Sequence, residues 1–221
     1  MRHVTLKGRF AIGLLRLAVA AVFPCSGGCG LALLGLVQPP EEIPSELSVV
    51  LGDSTTFLDD SPTLQLDPNE PLEPIAGTTG VADAAELDGC WGSSYQLPTT
   101  LPSRTMDVSQ VLKFDSATGR LERFIYQSLV IVAPVVTVER GTFSVDAEGL
   151  GTFEVTQELS TARTGELVDD TDRFETLPVY EVQLAWDGDE LLASFSEIDT
   201  PRTTGGFADR VRLRHQQLEC P

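Results

Sequence analysis

The clearest pattern in the chain is a series of short segments in which apolar and polar residues alternate. Alternation with a period of two is typical of strands that bury one face. From residue 87 onward this pattern and the turns between its segments predict strands over 90–96, 106–114, 121–130, 142–145, 153–159, 180–186, 191–195 and 211–215. A continuously apolar run predicts a further strand over 130–138, in which Pro134 marks a bend or an edge. No segment has the pattern of a long helix. The sequence therefore predicts an all-β domain of about eight strands.

Turn residues separate the predicted strands. Asp115 to Gly119, Asp146 to Gly149 and Asp187 to Asp189 combine Asp with Gly. Such combinations favour tight hairpins, which join antiparallel strands. The predicted sheet is therefore antiparallel.

Two cysteines bracket this domain. About eight strands are enough for a small up-and-down barrel, although the spacing also suits a β-sandwich. In a closed antiparallel barrel with an even number of strands, the end of the last strand lies beside the start of the first. Cys90 and Cys220 occupy those two places. We therefore expect a disulfide between Cys90 and Cys220 that holds the fold and has no catalytic role.

The start of the domain carries a short motif. Leu87-Asp88-Gly89-Cys90-Trp91 resembles the Gly-x-Trp opening of lipocalins and related calycin-type barrels. The resemblance implies a closed lipocalin-like barrel, with Gly89 and Trp91 at one end. It also implies that a basic residue of the last strand lies across Trp91 as a cation–π partner. Arg212 is the candidate, with Arg210 and Arg214 as alternatives.

The N-terminal residues 1–29 predict an export signal. A basic start is followed by an apolar run from Phe10 to Phe23, then by small residues around Cys25 and Cys29. This layout resembles a bacterial lipoprotein signal, in which the cysteine after the small residues is lipidated. Cys29 is the expected lipidation site, with Cys25 as the alternative. An uncleaved membrane anchor or a secreted protein are other interpretations, and all three place the domain outside the cytoplasm.

Residues 30–86 predict an acidic, proline-rich linker. The part from Gln38 to Glu86 has seven prolines, many acids and no basic residue, and it has too few apolar residues for a core of its own. The short apolar island Leu47 to Leu51 has no periodicity that indicates a domain. The expected organisation is an export signal over 1–29, a disordered linker over 30–86 and a β-barrel domain over 87–221.

The net charge of −18 narrows the possible partners. An acidic chain repels the phosphates of nucleic acids, and it has no polybasic patch to bind anionic lipid. The expected partners are a membrane, through the lipid anchor, and a small hydrophobic ligand. No protein partner is indicated.

Few residues indicate a catalytic or metal-binding role. His215 is the one histidine beyond the signal, and its place on an alternating strand suggests a structural role. The acids from Asp169 to Asp172 are more typical of a solvated loop than of a calcium site, because the closing Glu and the loop Gly are missing. No nucleophile motif or phosphate loop is present, so we expect no metal, no cofactor and no enzyme.

Three functions are compatible with the sequence. The leading interpretation is a non-enzymatic binding module, tethered to the cell envelope, that holds a small apolar ligand inside its barrel. The second is a structural or protein-interaction lipoprotein with a solid core. The third is a hydrolase that uses a pair of carboxylates, which a sequence with many acids cannot identify.

Overall fold

The structure is a computed structural model that describes residues 40–52, 64–65, 72–81, 83–98, 105–129, 132–162, 164–173, 176–198 and 211–221. The predicted export signal, with Cys25 and Cys29, lies outside these ranges. No helix within them is long and apolar enough to cross a bilayer.

Eight long antiparallel strands form a closed barrel. They are β1 (Gly89–Pro98), β2 (Thr105–Asp115), β3 (Arg120–Leu129), β4 (Val132–Val145), β5 (Leu150–Ser160), β6 (Val179–Asp187), β7 (Glu190–Ile198) and β8 (Val211–Leu218). Each strand pairs with the next one in the chain, and β8 pairs with β1. The predicted closed antiparallel barrel is therefore confirmed.

The hairpin between β6 and β7 shows how the sequence sets the register. Asp187 pairs with Glu190 across Gly188, which has a φ of +67°. A residue with positive φ in a two-residue turn favours glycine, and such turns match the twist of antiparallel strands. This turn aligns nine residue pairs, so that Tyr180, Val182 and Leu184 all face the core. The predicted hairpin over Asp187 to Asp189 is confirmed.

The fourth strand differs from its prediction. The segments expected at 130–138 and 142–145 belong to one 14-residue strand, β4. Its register against β5 shifts between Arg140 and Gly141. Such an irregularity bends a strand without ending it. The apolar pattern is interrupted at this point, which is why the sequence predicts two strands.

The linker prediction is wrong for part of residues 30–86. Helix α1 (Ser45–Gly52) buries Leu47 and Val50 in one cluster with Cys90, Val111 and Phe124 on the outside of the barrel. Glu46 of α1 also forms an ion pair with Lys113 of β2, with 3.0 Å between Oε1 and Nζ. The helix therefore belongs to the folded domain.

Gly92 makes room for this helix. A Cβ at Gly92 would collide with Leu218 and come within 2.9 Å of Val50 Cγ2. A side chain at this position would thus force the side chains of Leu218 and Val50 to move. An apolar island too short to form its own core is instead buried against a surface that the barrel provides.

A second part of the predicted linker also packs on the barrel. Thr79–Gly80 pair with β6, and a 3-10 helix (Ala84–Leu87) buries Leu87 in the barrel core together with Val81. Two more short strands, Leu64–Gln65 and Val168–Asp169, extend the sheet at β8 and β5, and a second 3-10 helix spans Thr171–Arg173. The folded domain thus begins before residue 87.

Candidate binding site in the barrel interior

Two apolar clusters fill the barrel at different levels. The tryptophan cluster consists of Val81, Leu87, Trp91, Leu112, Phe114, Leu121, Phe153, Val155, Tyr180, Val182, Leu184, Leu191, Ala193 and Phe195. The methionine cluster consists of Tyr95, Met106, Val108, Ile125, Val211 and Leu213. Apart from Val81 and Leu87, which precede β1, both clusters consist of inward-facing residues of the barrel strands.

A row of buried polar side chains lies between the two clusters. We call it the polar belt, and it consists of Ser93, Gln110, Arg123, Glu139 and His215, all at most 4% exposed. The sheet register brings them together. Ser93 is opposite Gln110, and Arg123 is opposite Glu139. The β8–β1 ladder, continued by one residue beyond the Gln216–Gly92 pair, sets His215 beside Ser93.

The alternation of the strands explains why the belt is internal. On β1, Ser93 lies between Trp91 of one cluster and Tyr95 of the other. On β2, Gln110 lies in the same way between Leu112 and Val108. A residue two positions from an inward-facing residue faces inward as well, so these polar groups point into the barrel.

The charged part of the belt is internally compensated. Arg123 Nη1 donates a hydrogen bond to Glu139 Oε2 at 3.2 Å, and the Tyr180 hydroxyl donates to Glu139 Oε1 at 2.7 Å. The Arg123 guanidinium also lies over two aromatic rings, 4.5 Å from the centroid of Phe195 and 5.1 Å from that of Tyr180. The ion pair and the ring faces together stabilise a charge that has lost its water.

The uncharged part of the belt is not satisfied in the same way. Neither the amide nitrogen nor the amide oxygen of Gln110 has a hydrogen-bond partner among the described residues. Neither ring nitrogen of His215 makes a hydrogen bond of good geometry to a described residue, although the backbone of Leu213 and Leu191 interacts with the ring. Buried polar groups in proteins almost always have partners, so the unpartnered Gln110 amide at this level of the barrel is unusual. The Gln110 amide is therefore the group that most needs a partner.

His215 is held in its neutral form. Burial lowers the pKa of His215 to about 4, because a charged ring would lose its hydration, and the charge of Arg123 acts in the same direction. Hydrogen bonding of the ring to the backbone of Leu213 and Leu191 opposes this effect but does not overcome it. At neutral pH the ring thus offers one N–H donor and one nitrogen acceptor.

Of the predicted structural residues, Gly89 and Trp91 lie at the start of β1. The Trp91 indole N–H donates to the carbonyl of Leu87 at 2.8 Å, and its ring is 5.1 Å from that of Trp186. Trp186 in turn donates to Glu86. One end of the barrel is therefore closed by two tryptophans and the segment that precedes β1.

The expected contact between Arg212 and Trp91 is wrong. The residue of β8 that lies opposite Trp91 is Gln217. Arg212 lies opposite Ser194, on the outer face, and its Nη2 donates to Gln183 Oε1 at 2.9 Å. An odd separation along the strand places the two residues on different faces, which a motif alone does not reveal.

The cysteines lie where strand order predicted. Cys90 and Cys220 form a disulfide with 5.4 Å between their Cα atoms, and Leu218 of β8 pairs with Cys90 of β1. Cys90 is buried beneath α1. The bond therefore ties the C-terminus to the first barrel strand.

The acidic loop from Asp169 to Asp172 has a structural explanation. Asp169 accepts a hydrogen bond from the Thr171 backbone at 2.9 Å and one from Gln157 at 3.0 Å. Hydrogen bonds from Thr171 and Gln157 lower the pKa of Asp169 to about 2. Within the described ranges, no three His, Cys, Asp or Glu side chains are grouped so that they could hold a metal ion.

The polar belt is the feature that sequence reasoning missed. Its signal was present, because Gln110 and His215 both occupy inward positions in the alternating pattern of β2 and β8. A polar residue at an intended core position is the relevant sign. What the sequence did not show was that these positions lie at one level of the barrel.

The chain was also compared with known proteins. No protein-family model matches it, and no curated protein matches it. The function of this chain is therefore inferred from its own residues and geometry.

Proposed function

We propose that the domain is a non-enzymatic binding module that holds a small, largely apolar ligand inside its barrel. The observation that supports the proposal is the buried, unpartnered Gln110 amide, which lies with the buried neutral ring of His215 between two apolar clusters. A small site of convergent polar groups within an apolar lining is typical of ligand pockets.

The energetics favour a bound partner for these groups. A buried polar group without a hydrogen bond destabilises a protein by about 1–3 kcal/mol. A ligand that bonds to Gln110 and His215 removes this penalty, so binding and folding stability increase together. Eight-stranded barrels are either filled by their own side chains or hold one small ligand, so the barrel size is compatible with binding.

We further propose that the barrel is lipocalin-like. The support is the opening Gly89-Cys90-Trp91, the closed eight-stranded up-and-down topology and the position of Trp91 at one end. The departure from that pattern is Trp186, which is the aromatic neighbour of Trp91 where a basic residue was expected.

We also propose that the protein is exported and tethered to the cell envelope through a lipid on Cys29. The support is the basic, apolar and small-residue order of the first 29 residues. The Cys90–Cys220 disulfide is consistent with this placement, because such bonds persist mainly outside the cytoplasm.

A structural module with a solid core is the second candidate. It is supported by the aromatic packing of Phe153, Tyr180 and Phe195, whose ring centroids lie 5.9–6.3 Å apart. These rings fill part of the interior with the protein's own side chains. The two candidates therefore differ in whether a molecule binds beside Gln110 and His215 or the protein's own side chains fill the interior there.

A carboxylate-dependent hydrolase has less support. Glu139 and Glu158 are buried and directly opposite each other on β4 and β5. However, both oxygens of Glu139 already accept hydrogen bonds, from Arg123 and Tyr180. A carboxylate held in this way acts as a structural acceptor.

The test is native mass spectrometry of the full chain purified from its own host. We expect a small-molecule adduct on the wild-type protein. Ser93→Leu, which places a larger side chain beside Gln110, should lose the adduct. The matched control Ser144→Leu, at an exposed position of β4, should retain it.

Near-UV circular dichroism checks that Ser93→Leu is folded. Gln110→Met is a second variant, whose side chain has nearly the same volume as the original. In a second measurement, the neutral fluorescent probe N-phenyl-1-naphthylamine tests for binding after any natural ligand has been removed. Absence of both an adduct and probe binding in the wild-type protein would overturn the proposal in favour of a solid core.

A further inference from the structure

We infer that the ligand is an uncharged molecule that presents both a hydrogen-bond donor and an acceptor to Gln110 and His215, and that carries an aliphatic tail. A primary carboxamide with an alkyl chain belongs to this class, because its head both donates and accepts hydrogen bonds. The inference rests on the proposed binding function and specifies the chemistry of its site.

The first step concerns the hydrogen-bonding groups. The Gln110 amide has two N–H donors and one carbonyl acceptor, and all are unpartnered among the described residues. The neutral His215 ring has one donor and one acceptor, and the backbone of Leu213 and Leu191 competes for its donor. A group that donates and accepts at the same time satisfies the Gln110 amide and the acceptor nitrogen of His215 together. Carboxamides do so, whereas carboxylates only accept and ammonium groups only donate.

The second step concerns charge. The one cation of the belt, Arg123, already has its carboxylate partner in Glu139. A buried anionic ligand would lie near Glu139, and a cationic ligand would lie near Arg123, whose charge is felt at His215. A further unpaired charge in this interior would be strongly unfavourable. The buried charges therefore disfavour both an anionic and a cationic ligand.

The third step concerns the tail. Each uncharged belt residue has an inward neighbour in the methionine cluster: Tyr95 follows Ser93, Val108 precedes Gln110, and Leu213 precedes His215. On its other side, the belt faces Trp91 and Leu112 of the tryptophan cluster. The methionine cluster lies at the barrel end away from the two tryptophans. An aliphatic tail directed toward this end would lie on apolar side chains.

The experiment measures the affinities of three matched probes for the full chain at pH 7. Hexanamide, hexanoate and hexylammonium have the same alkyl length and differ only in the polar head, and each is measured by displacement of N-phenyl-1-naphthylamine. We expect hexanamide to bind at least about tenfold more tightly than either ion, a difference of roughly 1.4 kcal/mol. In Gln110→Met this preference should fall to about threefold or less.

The control is Gln96→Met, because Gln96 is exposed on the outer face of β1 and bonds to Asp107 there. It should keep the full preference for hexanamide. Hexanoate or hexylammonium binding as tightly as hexanamide would overturn the inference. So would a preference that survives in Gln110→Met.

The outcomes separate this inference from the proposed function. If N-phenyl-1-naphthylamine binds and the three heads do not differ, the barrel is a binding module but the inference fails. If neither N-phenyl-1-naphthylamine nor any of the three alkyl probes binds to the wild-type chain, the proposed function fails, and the inference fails with it.

Discussion

Arg123 and Glu139 lie directly opposite each other on β3 and β4, inside the barrel, with 3.2 Å between Nη1 and Oε2. Their side chains are only 1% and 4% exposed. One residue away on the same two strands, Glu122 and Arg140 form a second ion pair on the outer face, where they are 34% and 44% exposed. The barrel therefore contains a buried pair and its solvent-exposed counterpart at adjacent positions of one ladder.

These two pairs lead to a first prediction. Glu139→Gln should lower the free energy of unfolding by about 3–5 kcal/mol, because it leaves the Arg123 charge buried without its partner. Glu122→Gln should change it by less than about 1 kcal/mol, because water screens the exposed pair. Urea unfolding of both variants measures the difference. Equal effects would contradict the buried pairing.

Gln110 carries a second prediction. Gln110→Met should raise the stability of the ligand-free protein by about 1–3 kcal/mol, because it removes an unpartnered buried amide at nearly constant volume. The outer-face variant Gln96→Met should not stabilise, since it removes a hydrogen bond to Asp107. Thermal unfolding of the ligand-free chains is the measurement. A destabilised Gln110→Met would show that the amide has a partner in the folded protein.

His215 gives a prediction about pH. Its pKa is lowered from 6.5 to about 4 by burial, so the unfolded chain binds a proton that the folded chain does not. The free energy of unfolding is therefore unaffected by His215 above pH 6.5 and decreases as the pH falls from 6.5 to about 4. Below about pH 4 the histidine causes no further decrease. The total change is about 3 kcal/mol.

The variant His215→Leu isolates this effect. Many carboxylates also titrate at acidic pH, so the quantity to compare is the difference in unfolding free energy between wild type and variant. We expect this difference to change across pH 4 to 6.5. A difference that stays flat over that window would place the histidine in a solvated environment.

The disulfide gives a fourth prediction. Reduction of Cys90–Cys220, which closes a loop with a sequence separation of 130, should lower the free energy of unfolding by about 2–5 kcal/mol. Mass analysis without reductant should show the two cysteine-containing peptides joined. An unchanged melting temperature after complete reduction would show that the barrel closes without the bond.

Helix α1 gives a fifth prediction. Eight residues are too few for a stable isolated helix, so α1 depends on burying Leu47 and Val50 against the barrel. Leu47→Ala should remove about 2–4 kcal/mol of docking energy and speed hydrogen exchange within α1. The control Val49→Ala, at a position 36% exposed, should leave exchange nearly unchanged. Fast exchange of α1 in the wild-type chain would contradict the docking.

The barrel could be predicted from the sequence because the patterns that indicate it are visible without knowledge of tertiary contacts. The alternation of β2, the Gly188 turn and the positions of Cys90 and Cys220 each depend on a few neighbouring residues or on strand order. The docking of α1 was missed because Leu47 and Val50, although spaced as on one helix face, form too short a run to indicate a buried helix. Their partner is a surface that exists only after the barrel has closed.

The site was missed for a related reason. Gln110 and His215 are far apart in the chain, and their proximity depends on the register of three strands, β8, β1 and β2. The same register moved Arg212 to the outer face, against the expectation from the Gly-x-Trp motif. A one-residue change of register reverses which side chains face inward, and sequence patterns do not determine it.

A crystal structure of the chain purified from its own host tests the central claim most directly. We predict electron density for a small molecule within hydrogen-bond distance of both the Gln110 amide and a His215 ring nitrogen, with its remainder on the methionine cluster. Side chains that close the space, with Gln110 and His215 bonded to protein atoms alone, would contradict the claim that this barrel binds a ligand.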